Sequence, residues 1–157
     1  MDSFFAVCDS IRSLENIGSI FRTSDALAVD KIFLCGISGY PPSLKISKSA
    51  LGAEKTVPFE YHGQCWKLIE KLKKDKVQVV VLEKTDKAVI YTKFKPKFPL
   101  ALVVGNEIKG VSGAALKRAD KVIYLPMLGK KESLNVAVSF GIAGYQISKF
   151  RKKSRKK

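Results

Sequence analysis

Histidine is almost missing from this sequence. His62 is the only one among 157 residues, and cysteine occurs three times, at Cys8, Cys35 and Cys65. The cysteines are an odd, widely separated set without a Cys-x2-Cys pair, which argues against a zinc site and against a disulfide framework. A lone histidine between Tyr61 and Gly63, with no serine or aspartate beside it, reads as a loop residue and weakens any Ser-His-Asp or Cys-His scheme. Long apolar runs are lacking as well, so no stretch approaches a membrane span. The first eight residues have neither the basic start nor the apolar centre of a secretory signal. These absences lead to the expectation of a soluble cytoplasmic protein with no membrane partner and no metal.

Acidic residues are scarce too. Against 29 Lys+Arg there are 14 Asp+Glu, a formal net charge of +15, and such a field attracts polyanions such as RNA, DNA or an anionic membrane. The length fits one domain with a full core.

What is present is an alternation. Residues 4–8, 31–35, 77–82, 100–104 and 121–125 are short, continuous apolar runs bounded by polar, Gly or Pro signals, as buried strands are. Between them, 17–27, 64–75, 113–118 and 133–150 carry helical spacing or composition. The fold class expected is therefore α/β, a mainly parallel sheet with helices on both faces and its ligand at the carboxyl ends of the strands. Residues 37–57, with Gly39-Tyr-Pro-Pro and then Lys45, Lys48 and Lys55, read as a basic loop that either contacts a phosphate backbone or is simply solvated. The domain is placed at 1–150. The almost wholly basic segment 151–157 is expected to be a disordered tail, solubilising or making salt-dependent phosphate contacts.

Three stretches concentrate polar residues at strand ends. The first, G-N-E-I-K-G at 105–110, has the glycine spacing of a phosphate loop, but Val111 stands where its lysine belongs and Glu107 would repel a triphosphate. No G-x-G-x-x-G occurs, so the dinucleotide fingerprint fails as well. The second, L-P-M-L-G-K-K-E-S-L-N-V at 125–136, runs from a strand end into a helix. Ser133 is a natural N-cap, and Asn135 is a polar residue in an apolar first turn that would need buried partners or a ligand. In the third, Asn16 reads as a helix cap with Arg22 six residues on. Arg22 is either a stem packed on the core or a fork for phosphate or carboxylate.

Taken together and in this order, Asn16 with Arg22, G-N-E-x-x-G and L-P-M-x-G-x-x-x-S-L-N-V resemble the three motifs of the SpoU/TrmH family of SPOUT-class RNA 2'-O-methyltransferases. The resemblance runs over nearly the whole chain. It implies a deep trefoil knot in the C-terminal part of the fold, against the usual rarity of knots. It also implies a homodimer with the active site at its interface, S-adenosylmethionine as cofactor, and tRNA or rRNA as partner. Arg22, Asn16, Glu107, Ser133 and Asn135 would be the catalytic set. Leu82, Glu83, Val104, Gly105, Asn106, Leu125, Met127 and Leu134 would hold the cofactor. Ala137 departs from the serine that many relatives carry there. The chain begins almost at its first strand, so substrate selection is expected to rest on the catalytic domain, its dimer and its basic surfaces. The alternative from another class is a knotted protein that binds RNA or assists ribosome assembly without chemistry. It has no need of all five polar site residues together.

Overall fold

The continuous apolar runs become strands covered on both sides, the pattern of a parallel sheet. The computed structural model describes residues 2–152. Its strands are β1 (Phe4–Asp9), β2 (Lys31–Cys35), β3 (Phe59–His62), β4 (Gln78–Leu82), β5 (Val89–Ile90), β6 (Leu100–Gly105) and β7 (Lys121–Tyr124). They form one sheet in the order β3-β2-β1-β6-β4-β7-β5, and every pairing is parallel. The central strand β6 is buried at all of its positions.

Alternation along each strand sends side chains to two cores. Leu100, Leu102 and Val104 of β6, with Phe4, Ala6 and Cys8 of β1, pack under α1 (Leu14–Ala26), α2 (Leu44–Ala50) and α5 (Val136–Ser148). Ala101, Val103 and Val7 point the other way, with Leu68, Ile69 and Leu72 of α3 (Cys65–Lys74) and Ala115 of α4 (Gly113–Leu116). In the register, Asp9 lies opposite both Cys35 and Gly105, so β1, β2 and β6 end level. That common edge positions the site.

The structure departs from the sequence reading at five places. The stretch read as a basic loop contains α2, which Ser43 caps by accepting a hydrogen bond from the Ile46 amide (3.4 Å), and Ile46 and Ala50 bury against the core. β3 has charged and aromatic residues at half-exposed edge positions, so it carries no apolar run, and His62 ends this strand rather than sitting in a loop. β5 is a two-residue edge. Helix α1 starts earlier than expected, capped by Ser13, whose hydroxyl accepts from the Asn16 amide (3.1 Å), so Asn16 is not the cap. Helix α5 starts later, with Asn135 rather than Ser133 as its cap.

Two residues of the segment expected to be a tail, Arg151 and Lys152, are described. The Arg151 side chain is 4% exposed and pairs with Asp30 (3.2 Å). It donates to the carbonyls of Asp2 (3.0 Å) and Leu27 (2.8 Å), which ties the end of the chain to its beginning. Residues 153–157 of the expected tail lie outside the described residues. No helix among the described residues is long and apolar enough to cross a membrane.

Candidate active site

Three loops meet at the carboxyl edge of the sheet. After β6 the chain closes on itself. The Asn106 amide donates to the Gly110 carbonyl (3.1 Å), and the Gly110 amide returns the bond to Asn106 (2.9 Å). The Asn106 side chain braces this turn from inside, its oxygen accepting from the amides of Ile108 (2.9 Å) and Lys109 (3.0 Å). Its nitrogen donates to the Ser10 carbonyl (2.9 Å). Gly110 adopts φ +71°, open to glycine without strain. Outside the turn, a Glu83 carboxylate oxygen accepts from the Val111 amide (2.9 Å) and that of Asp9 from the Ser112 amide (2.8 Å).

Glu107 faces the start of α1. Its two oxygens accept from the backbone amides of Arg12 (2.9 Å) and Ser13 (2.8 Å) and from the Asn16 side chain (3.4 Å). A carboxylate at a helix N-terminus meets unpaired amides and the positive end of the helix dipole. Burial pushes the Glu107 pKa up, but the amides of Arg12 and Ser13 outweigh it and the net shift is downward. A depressed folded-state pKa means that this docking stabilises the fold above the ordinary glutamate value of about 4.3. The contribution is lost as pH falls through the lower folded value. Urea midpoints of the wild type should therefore exceed those of Glu107→Gln at pH 7, with the gap closing on acidification below the ordinary value. A gap constant down to pH 3 would contradict the docking.

Asn16 carries the network onward. Its side-chain oxygen accepts from Asn135 (3.0 Å), whose own oxygen accepts from the amides of Ala137 (2.8 Å) and Val138 (3.2 Å). Asn135 is exposed, so the partners it needs are a helix start and Asn16 rather than a buried pocket. The result is one chain of hydrogen bonds from the β6 loop through α1 to α5.

Beside this chain lies a cavity of about 540 Å³, in the range of small-ligand sites. Leu82 and Glu83 at the end of β4, Val104, Gly105 and Asn106 at the end of β6, and Leu125, Met127 and Leu134 after β7 all line it. So do Asn16, Glu107, Ser133 and Asn135, whereas Arg22 does not. Arg22 is exposed on α1. Six residues at about 100° each place it roughly 120° around the helix from Asn16. The sequence reading did not name Lys84, Ile108, Gly110, Tyr124, Glu132, Val136 or Ser139 as site residues, and all seven line the cavity. Ser139 had a signal, being one helical turn after Asn135.

The lining includes Glu83, Glu107 and Glu132 against Lys84, an acidic cavity in a chain of charge +15. A phosphate or a nucleotide is disfavoured there, and a cationic ligand is favoured. Thiol chemistry finds no support nearby. Burial raises the Cys8 thiol, and a hydrogen bond to Cys35 followed by burial raises that of Cys65, so neither is a thiolate at neutral pH.

Solved structures identify the class. The chain superposes on the A. aeolicus TrmH/SpoU tRNA modifying enzyme with a TM-score of 0.86 at 28% identity, covering 95% of this chain and 75% of that one. An AdoMet-bound rRNA methyltransferase from Sinorhizobium meliloti gives 0.87 at 26% identity, covering 94% of this chain and 56% of that one. The fold is that of the SpoU/TrmH methyltransferases. The chain belongs to the SpoU rRNA Methylase family, which it matches over residues 3–145. It is 29% identical over 144 residues to the putative TrmH family tRNA/rRNA methyltransferase YacO of Bacillus subtilis, covering 92% of this chain and spanning 57% of that relative.

Proposed function

We propose that this protein transfers the methyl group of S-adenosylmethionine to a ribose 2'-OH of tRNA or rRNA, as a cytoplasmic homodimer whose residues 1–150 form the methyltransferase domain. The observation that carries the reading is the acidic cavity against the closed β6 turn, joined by Glu107, Asn16 and Asn135 to the open edge of α1 and α5. A sulfonium bears a positive charge and no phosphate, so carboxylates that would repel a nucleotide fit it. Glu83, Gly105, Asn106, Leu125, Met127 and Leu134 would hold it, with Leu82 and Val104 beneath.

When bound, the cofactor supplies an electrophilic methyl. The rest of the task is to fix the ribose hydroxyl and remove its proton. Asn16 has its side-chain oxygen committed to Asn135 and its side-chain nitrogen to Glu107, so it positions rather than relays. Ser133, at the cavity wall, is the candidate relay. Arg22, always charged, is read as a clamp on the backbone phosphate that also stabilises the developing alkoxide.

The dimer is supported by an open groove of about 930 Å³ between α1 and α5, where Val138, Ile142 and Tyr145 expose apolar surface and which Asn16 and Asn135 also line. The C-terminal knot is what the family resemblance implies, and the chain path is consistent with it. β6 lies between β1 and β4, β7 lies beyond β4, and α5 returns to pack on α1 and β6.

The test is transfer of labelled methyl into unmodified tRNA and rRNA. Label in one RNA class, reduced about 100-fold or more by Arg22→Ala, is expected, the size of effect that removal of a charge-stabilising donor produces. No label together with tight, salt-sensitive RNA binding would overturn the enzyme reading in favour of a non-catalytic RNA-binding protein.

A further inference from the structure

The cavity lies at the ends of β4, β6 and β7. On the other side of β1, the same carboxyl edge carries a second feature that this reading does not use. Tyr40, in the loop after β2, and Tyr61, on β3, pack with ring centroids 4.9 Å apart and planes at 41°. They nonetheless remain 49% and 44% exposed, and neighbouring Ile37 is 65% exposed. Aromatic rings held in contact yet open to water are surfaces to be stacked on.

Tyr61 and the start of the loop that bears Tyr40 are fixed rather than loose. The Tyr61 hydroxyl donates to the Gly36 carbonyl (2.6 Å), and the Gly36 amide donates to the His62 carbonyl (3.0 Å). Two residues on, the buried Ser38 hydroxyl donates to the Cys8 carbonyl (3.2 Å) and accepts from the Ile11 amide (2.8 Å). The next two amides, of Arg12 and Ser13, are those that hold Glu107. The loop that bears Tyr40 is thus braced against the loop that docks the cavity turn, so a group resting on the rings is held at a fixed offset from the cavity.

The exposed charges of the flanking segments favour a nucleic acid. Arg12 is exposed in the braced loop, and Lys45 and Lys48 are exposed on α2, which begins four residues after Tyr40. RNA is recognised where unpaired bases stack on aromatic side chains while cations follow the backbone.

We propose that Tyr40 and Tyr61 form a stacking platform for an unpaired base of the RNA substrate, setting which nucleotide of a loop reaches the cavity. This rests on the RNA methyltransferase reading, and its test separates the two. A labelled single-stranded oligoribonucleotide of about ten nucleotides, within the site size of such surfaces, is titrated at low salt against wild type, Tyr40→Ala, Tyr40→Phe and Tyr61→Ala. The same strand annealed to its complement is the second probe. Thermal melting and S-adenosylmethionine binding serve as folding controls.

Tyr40→Ala is expected to weaken single-strand binding by roughly 5- to 150-fold, the range for loss of one stacked base. Tyr40→Phe should restore it, and duplex binding should stay unchanged. The methylation assay should show the loss in KM for RNA and not for the cofactor. Equal single-strand affinity of wild type and Tyr40→Ala would overturn the platform and leave the RNA reading standing. An equal loss on duplex would overturn base stacking in favour of a general surface effect. Failure of the wild type to bind either RNA would overturn both, pointing to a protein partner for this face.

Discussion

A Gly105→Ala variant is expected to lose S-adenosylmethionine affinity by well over about tenfold and to melt roughly 4–8 °C below the wild type, the shift for an overpacking strain of about 2 kcal/mol in a domain of this size. The reason is local. A Cβ at position 105 would lie 2.3 Å from the Val111 nitrogen, 2.4 Å from the Gly110 carbonyl carbon and 2.6 Å from its oxygen. All three are backbone atoms, so no side chain can swing aside. Relief requires the turn to open, which breaks the paired bonds between Asn106 and Gly110 and draws the Val111 amide away from Glu83. Those contacts shape the cavity wall. Gly129 is the control: a Cβ there meets nothing within 4 Å, so Gly129→Ala should stay within about 0.5 kcal/mol of wild type. Titration calorimetry with S-adenosylmethionine and thermal melting decide the matter. Cofactor binding by Gly105→Ala at wild-type strength would show that the β6 turn does not shape the cofactor site.

The strands of the centre were legible because burial on both faces demands unbroken apolar runs. β2 spans Lys31–Cys35 as read, and β6 differs by its terminal glycine. β3 was not legible for the opposite reason: its edge position lets Glu60 and Tyr61 face outward, which erases the apolar signal. α2 is too short to show a repeat, and its lysines masked the Ile46–Ala50 pair that buries it. The cavity was legible by position, since motifs at strand ends converge in a parallel sheet. Its hydrogen bonding was not. Ser13, Asn16, Ser133 and Asn135 are all good capping types, and which of them caps depends on where the chain turns into the helix. The acidity of the cavity likewise needed the fold, because Glu83 and Glu132 reach it from separate loops. Arg22 shows the limit most plainly: motif spacing groups it with Asn16, while helix geometry turns it away.

That geometry yields the second large effect. If Arg22 acts on the partner's cavity across the proposed α1–α5 dimer, Arg22→Ala and Gly105→Ala homodimers should each be strongly impaired in methyl transfer when S-adenosylmethionine is held well below the concentration that Gly105→Ala needs. Mixing them through reversible dissociation should then restore activity. A mixed dimer holds one intact cavity, from the Arg22→Ala subunit, and one intact Arg22, from the Gly105→Ala subunit. Random pairing of equal amounts makes half of the dimers mixed, each with one of two sites working, so activity should return to about a quarter of wild type. Action within one chain predicts the opposite, because then neither subunit of the mixed dimer has both parts. The structure favours restoration. Arg22 lines neither the cavity nor the groove, and lies just under one helical turn after Ser19, which lines the groove. Asn16 and Asn135 line both spaces, so a second copy seated on Val138, Ile142 and Tyr145 would bring its own α1 to the open side of the site. The same seating accounts for apolar surface on α5 that a monomer would leave in water. Mixed samples as impaired as their parents, with exchange verified by mass, would place Arg22 in the site of its own subunit.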